Sequence, residues 1–186
     1  EFKNELKRLR APATVNKYIH YLYTIWETAR LNWGINLPPN NPTALVKREK
    51  VMTKIDRILT DEEYQNLLKA CEKSNLKQLR DIVEFAYITA MRFGEITKLQ
   101  VKDIDFDNST AKLIDQKNGE TSLVPLTQRA LDICDKYKFK DKIIKLETSQ
   151  VLFPTYRDKF RHYFEQACVR AGVQDFRFHD LRACCI

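Results

Sequence analysis

Glycine and proline are scarce in this sequence, which has four glycines and six prolines among its 186 residues. Their scarcity excludes collagen-like and Pro/Gly-rich disordered chains. No apolar run approaches the roughly 20 residues that cross a bilayer as a helix, and the charged N-terminus lacks the apolar centre of a signal peptide. Hydrophobic residues make up 44% of the chain, enough for a globular core. The sequence therefore predicts a soluble protein, which we expect in the cytoplasm.

Disulfide and metal-binding patterns are also missing. The five cysteines form no C-x-x-C pair, and their odd number, with Cys184 and Cys185 adjacent, indicates free thiols in a reducing compartment. The three histidines add no zinc-binding spacing. We therefore expect neither a metal nor a cofactor.

Basic residues are in excess. Lysine and arginine number 32 against 25 acidic residues, giving a net charge of +7. A chain of this charge is suited to a polyanionic partner, and nucleic acid is the first candidate.

Helical patterns dominate the sequence. Apolar residues recur at helical spacing from Thr14 to Trp33. Thr60 and Glu63 match a capping box, which predicts a helix from Asp61 to about Lys73. Further helices are predicted from about residue 76, over 128–137 and over 157–171.

A small sheet interrupts these helices. Short β-like runs between residues 104 and 126 are broken at Asn108 and at 117–119, which predicts an antiparallel meander. Phe176 and Phe178 alternate with polar residues and are predicted to be core strand residues. The fold class is therefore α+β and mostly α.

A domain boundary is predicted where prolines and basic residues replace the helical pattern. Residues 35–54 carry three prolines followed by a basic run. We predict an N-terminal domain at 1–46, a basic linker at 47–57 and a second domain at 58–186. The candidate polyanion-binding residues of the linker are Lys47, Arg48, Lys50, Lys54 and Arg57.

Two short stretches contain basic side chains that are candidates for a functional site. In YITAMRFGEITKLQVKDIDF, Arg92 lies where a helix breaks and restarts, and Glu95 follows three positions later. By itself this pair is equally consistent with a structural ion pair. In FHDLR, His179 and Arg182 are spaced for one helical face.

Taken in order, these stretches resemble the tyrosine recombinases of the phage integrase family. TAMRFGEITKLQVKDID resembles the first arginine box of that family, and FHDLR resembles its His-x-x-Arg box, with a lysine-bearing β-hairpin between them. TVNKYIHYLYTIWETARLNWGI followed by NNP resembles the end of its helical core-binding domain. The resemblance implies a catalytic domain with a small antiparallel β-meander, preceded by part of a core-binding domain.

The resemblance also implies a set of catalytic residues. Arg92 and Arg182 would be the two arginines, Lys117 the hairpin lysine and His179 the box histidine, with Glu95 supporting Arg92. Two guanidiniums can hold the phosphoryl oxygens of a reacting DNA phosphodiester. A lysine can protonate the leaving 5′ oxygen, and a histidine can exchange a proton with the attacking hydroxyl.

The implied function is site-specific DNA recombination or integration. Such enzymes break and rejoin DNA strands through a 3′-phosphotyrosyl intermediate. The implied partner is double-stranded DNA, contacted by the basic linker. We expect a tetramer on DNA for the full-length form, a monomer for this chain, no membrane partner, and an origin in a bacterium, phage or mobile element.

The attacking tyrosine of the family lies downstream of the His-x-x-Arg box, whereas all eight tyrosines of this chain precede His179. We therefore expect the nucleophile after Ile186. The chain is interpreted as a recombinase fragment, trimmed at its end and at its start, that binds DNA without cleaving it.

Several alternatives remain open. Lys117 is also consistent with a solvated turn residue, with Lys112 as the nearest other lysine; His179 fits a helix start, and Arg182 fits a pair with Asp180. For the whole chain, the alternatives are a non-catalytic basic DNA-binding module and a phosphodiesterase-like or helical interaction protein that matches by chance.

Overall fold

Two structural units make up the chain, Glu1–Ile55 and Asp56–Ile186. They were analysed in a computed structural model that describes residues 1–51, 57–114, 121–137 and 151–185. Across these ranges, no helix has both the length and the apolar character that a membrane span requires.

The first unit is helical. Helix α1 spans Phe2–Leu9 and helix α2 spans Pro12–Leu31. Pro12 occupies the first position of α2, where a missing N–H costs nothing. Helix α2 confirms the helix predicted from Thr14 to Trp33, but it begins and ends two residues earlier than predicted.

The chain after α2 folds back onto that helix through Asn41. This residue is buried, and its Nδ2 donates to the carbonyl oxygen of Tyr23 (3.1 Å) and to Glu27 Oε1 (2.9 Å). Its Oδ1 accepts from the backbone N (3.0 Å) and the hydroxyl (2.7 Å) of Thr43. Because every polar atom of the Asn41 side chain is satisfied, the amide can be buried at little cost.

The second unit combines helices with one small sheet, as predicted, so the α+β, mostly α fold class is confirmed. Its described helices and strands, with two 3₁₀ turns, are α3 Asp61–Glu72, α4 Leu79–Thr89, α5 Phe93–Ile96, 3₁₀ Val101–Asp103, β1 Ile104–Asp105, β2 Thr110–Ile114, β3 Thr121–Pro125, α6 Gln128–Asp135, α7 Arg157–Ala171, 3₁₀ Phe178–Asp180 and α8 Leu181–Cys184.

Helix α3 begins with the predicted capping box. The hydroxyl of Thr60 accepts from the backbone N of Glu63 (3.2 Å), and Glu63 Oε2 accepts from the backbone N of Thr60 (3.0 Å). Two of the otherwise unpaired N–H groups at this helix start are satisfied in this way.

Thr60→Ala is expected to lower the free energy of unfolding by about 1 kcal/mol, because the first turn of α3 loses its cap. Chemical denaturation followed by far-UV circular dichroism measures the change. Thr60→Ser is the matched control, since it keeps the accepting oxygen. Equal stability of the alanine and serine variants would contradict a stabilising role for the cap.

The sheet has the order β1-β2-β3, and both pairs are antiparallel, as the meander prediction requires. At the predicted break, the Asp105 carboxylate accepts from the backbone N (2.9 Å) and the Nδ2 (2.7 Å) of Asn108. These bonds hold the pKa of Asp105 below its usual value. The second predicted break, at 117–119, lies outside the described residues.

The core of the second unit is built around α4. Leu79, Ile82, Val83 and Phe85 of this helix are fully buried. The Phe85 ring contacts the buried ring of Phe153 at 5.5 Å between centroids. Helix α4 also contacts α3, α6, α7 and α8, so the last described helix packs on the centre of the unit.

All five cysteines lie among the described residues as free thiols, as the sequence predicts. Cys71, Cys134 and Cys168 are buried. Burial raises the pKa of Cys71 and Cys134 to about 12 and that of Cys168 to about 11. These three thiols are therefore uncharged at neutral pH.

The strand predicted for Phe176 and Phe178 is wrong. Both rings are half-buried against the core, but Phe178 begins a 3₁₀ turn and Phe176 lies in irregular chain. The turn forms because Asp180 accepts a hydrogen bond from the backbone N of Arg177, which closes the chain on itself.

Candidate active site

Arg92 lies where α4 ends and α5 begins, as the sequence predicts. Ala90 ends α4 in the left-handed region (φ +51°), a conformation that is strained for a residue with a Cβ. Arg92 then caps α5, and its backbone N donates to Glu95 Oε2 (2.7 Å). Its Nη1 donates to Glu95 Oε1 (2.8 Å), so one carboxylate fixes both the main chain and the guanidinium of Arg92.

His179 and Arg182 lie on the 3₁₀ turn and on α8, which follow one another directly. Between them, the Asp180 carboxylate is only 1% exposed. It accepts from the backbone N (2.9 Å), the Nε (3.2 Å) and the Nη2 (2.6 Å) of Arg177. Asp180 therefore anchors the turn, while the His179 side chain is exposed to solvent.

The guanidinium of Arg182 is partly buried, and its Nη1 is one of six buried side-chain polar atoms in the described ranges for which the structure gives no hydrogen-bond partner. A buried, unpaired guanidinium nitrogen is costly in folded proteins. An anionic oxygen is the kind of group that would satisfy it.

The two motifs are neighbours in the second unit. The ring of Phe93, which follows Arg92, contacts the ring of Phe178 edge-to-face at 5.6 Å. Cys185 Sγ donates to the carbonyl oxygen of Ile88 (3.4 Å), near the end of α4. Phe160 of α7 packs against both phenylalanines, at 4.6 and 4.7 Å. The segments that carry Arg92, His179 and Arg182 therefore lie side by side.

The predicted hairpin lysine, Lys117, lies outside the described residues. Lys112, the alternative lysine, is exposed on β2. Tyr156, immediately before α7, has an 83% exposed side chain, and Tyr163 is half-buried on α7.

The predicted basic linker residues are divided between the two units. Lys47, Arg48 and Lys50 are exposed in the first unit, and Arg48 Nη1 donates to the carbonyl oxygen of Asn16 (2.7 Å). Arg57 belongs to the second unit, where it pairs with Glu63 and donates to the carbonyl oxygen of Gln174. Lys54 lies outside the described residues.

Sequence reasoning identified Glu95 as the support of Arg92, but it missed the bonds that anchor the segments bearing Arg182 and the basic linker residues. Arg177 and Asp180 have the i, i+3 spacing of a capping pair, which is a usable signal. In the first unit, the side chain of Asn16 bonds to the main chain of Glu49, next to Arg48 and Lys50. Glu49 is the one acid in the basic run KREK. Asn16 interrupts the apolar stripe of α2 between Val15 and Ile19.

Residues 57–186 match the model of the phage integrase family. The chain belongs to this family. It is 32% identical over 169 residues to a shufflon-specific DNA recombinase of Escherichia coli, a match that covers 91% of this chain and 41% of that protein. It is 26% identical over 190 residues to the tyrosine recombinase XerC of Staphylococcus epidermidis, covering 97% and 62%. This phage integrase family chain thus spans about half the length of the curated relatives it matches.

Solved structures share the fold of this family member. A lambda integrase dimer bound to a COC′ core site superposes with a TM-score of 0.73 at 21% identity, covering 98% of this chain and 68% of that one. The Tn1549 transposon integrase in complex with circular intermediate DNA gives a TM-score of 0.70 at 16% identity, with the same coverages. At these identities the likeness concerns the fold.

Proposed function

We propose that this chain is the DNA-binding and phosphate-activating part of a site-specific tyrosine recombinase. The reaction is the breakage and rejoining of DNA strands through a 3′-phosphotyrosyl intermediate. The observation that carries the proposal is the packing of the segment that bears His179 and Arg182 beside the one that bears Arg92, in a chain that matches the phage integrase family over residues 57–186.

The proposed chemistry follows from these side chains. Arg92 and Arg182 bind the non-bridging oxygens of the scissile phosphate and stabilise the charge that grows there. Glu95 orients Arg92 through the 2.8 Å ion pair. His179 exchanges a proton with the attacking hydroxyl, and Lys117 protonates the leaving 5′ oxygen.

The names of similar proteins support this proposal. The relatives include a shufflon-specific DNA recombinase and several tyrosine recombinases. The structural neighbours include a lambda integrase dimer on a core site and a tetramer on a Holliday junction. We therefore propose duplex DNA as the partner, a tetramer on DNA for a full-length form, a monomer for the 186-residue chain, and a location in the cytoplasm.

The proposed division of labour places a partial core-binding domain at 1–46, the DNA-contacting linker at 47–57 and the catalytic domain at 58–186. No tyrosine follows Arg182 in the 186 residues. We propose that this polypeptide binds DNA without cleaving it, and that a tyrosine beyond Ile186 supplies the nucleophile.

Lys47, Arg48 and Lys50 are expected to contribute most of the electrostatic affinity for duplex DNA. Replacing all three with alanine should reduce the slope of log K against log salt by about 2.7, since each neutralised phosphate contributes about 0.9. Fluorescence anisotropy of a labelled duplex over a salt titration measures the slope.

A variant with Lys69, Lys73 and Lys77 replaced by alanine is the matched control. It removes the same charge from exposed positions of the second unit, and its slope should change by less than about one. An unchanged slope in the linker variant would place the DNA contacts elsewhere. Absence of duplex binding by the wild type at low salt would contradict the proposed function itself.

A further inference from the structure

The first unit contains a side-chain clamp that the proposed chemistry does not use. Asn16 lies in α2, and its Oδ1 accepts from the backbone N of Glu49 (2.7 Å) while its Nδ2 donates to the carbonyl oxygen of Glu49 (2.8 Å). The two residues are 33 positions apart. One amide thus satisfies both main-chain polar groups of Glu49, and we call this arrangement the Asn16–Glu49 clamp.

The Glu49 side chain ties the same segment to α1. Its Oε1 lies 2.7 Å from Lys3 Nζ and its Oε2 lies 3.1 Å from Lys7 Nζ. Bonds from Lys3 and Lys7 hold the pKa of Glu49 below its usual value, so the carboxylate is charged at neutral pH. Arg48 adds a bond to the carbonyl oxygen of Asn16.

The clamp matters because residues 47–51 have no regular structure of their own. Within the described part of the chain, they form no backbone–backbone hydrogen bond. Main-chain polar groups need partners, and here side chains of α1 and α2 supply them. Asn16 fixes the main chain at Glu49, and the ion pairs of the Glu49 side chain with α1 add to that hold, so together they set the direction in which the neighbouring basic side chains project.

We infer that Asn16 and Glu49 are positioning residues for DNA binding. The clamp holds Lys47, Arg48 and Lys50 in one arrangement before DNA arrives. A segment that is already ordered loses less conformational entropy on binding, so its phosphate contacts yield more affinity. This inference rests on the proposed function, because it concerns how the same basic residues meet a phosphate backbone.

Asn16→Ala tests the clamp without changing any charge. Alanine is the better helix former, so α2 itself should not be weakened. We expect binding of a labelled duplex to weaken about tenfold at fixed salt. The salt slope should change by less than about one, because the phosphate-binding side chains remain. Asn4→Ala on α1 is the matched control and should bind like the wild type.

Limited trypsin digestion reads out the clamp in the absence of DNA. Cleavage after Lys47, Arg48 and Lys50 should accelerate in Asn16→Ala, while cleavage after Lys17 and Arg30 within α2 should not. Equal acceleration at the α2 sites would mean that the variant unfolds the helix, and it would overturn a positioning role.

A double-mutant comparison separates positioning from direct contact. Asn16→Ala should have no further effect on duplex binding when Lys47, Arg48 and Lys50 are already alanine, because nothing remains to be positioned. The same loss in that background would mean that Asn16 contacts DNA itself, which overturns the inference. So would wild-type affinity of the single variant. A wild-type chain that binds no duplex at all would instead defeat the proposed function.

Discussion

A chain extended beyond Ile186 by a tyrosine-bearing segment is expected to form a covalent adduct with a nicked suicide DNA substrate, whereas the 186-residue chain is expected to form none. In the proposed function Arg92, His179 and Arg182 stabilise the transition state, but this achieves little without a hydroxyl placed for in-line attack. The measurement is a denaturing gel of labelled DNA incubated with chains of both lengths.

Arg92→Ala in the extended chain should reduce adduct formation by about 10²–10³-fold, the usual loss when one donor to a developing oxyanion is removed. Arg161→Ala is the matched control, since Arg161 is exposed on α7 and pairs with Glu165. A band from the 186-residue chain would contradict the assignment and return Tyr156 and Tyr163 to consideration. No band from the extended chain would favour the non-catalytic DNA-binding module.

Phe153→Ala is expected to lower the free energy of unfolding by about 3–5 kcal/mol, because it leaves a cavity in the core of the second unit. The ring is fully buried and contacts Phe85 at 5.5 Å and Tyr137 at 5.0 Å. The preceding residue, Leu152, donates its backbone N–H to the carbonyl oxygen of Leu99 (2.8 Å). A loss of this size is a large share of the roughly 5–15 kcal/mol that stabilises a typical domain.

Urea denaturation measures this change. Tyr156→Ala is the matched control, because it removes an aromatic ring that is 83% exposed, and it should alter stability by less than about 0.5 kcal/mol. Similar losses for the two variants would contradict the central place of Phe153 in the core.

The longer elements could be predicted because their signals are local. The capping box of α3, the apolar stripe of α2 and the turn at Asn108 each depend on residues close together in the chain. Helices α5 and α8 have four residues each, too few for a hydrophobic period to emerge. Helix α1 was missed because its sequence is dominated by charge.

In the candidate site, too, features with a local sequence signal could be predicted and features that depend on tertiary packing could not. Arg92, His179 and Arg182 were found from short motifs, and their catalytic roles stay predictions, as does that of Lys117. The adjacency of the two motifs depends on packing between Phe93 and Phe178, 85 positions apart in the sequence, and so could not be read from local patterns. The burial of Arg182 Nη1, without a partner in the part of the chain that the structure describes, depends in the same way on its surroundings.

The buried thiols have a practical consequence for watching this protein at work. Cys71, Cys134 and Cys168 are buried and uncharged at neutral pH. Maleimide dyes react with exposed thiolates, so they should not label these three residues. Cys184 is buried as well, which leaves Cys185 as the half-exposed thiol to replace. Cysteines introduced at one exposed position in each unit would then carry fluorophores selectively. Energy transfer between the two labels would report the distance between the units as DNA binds.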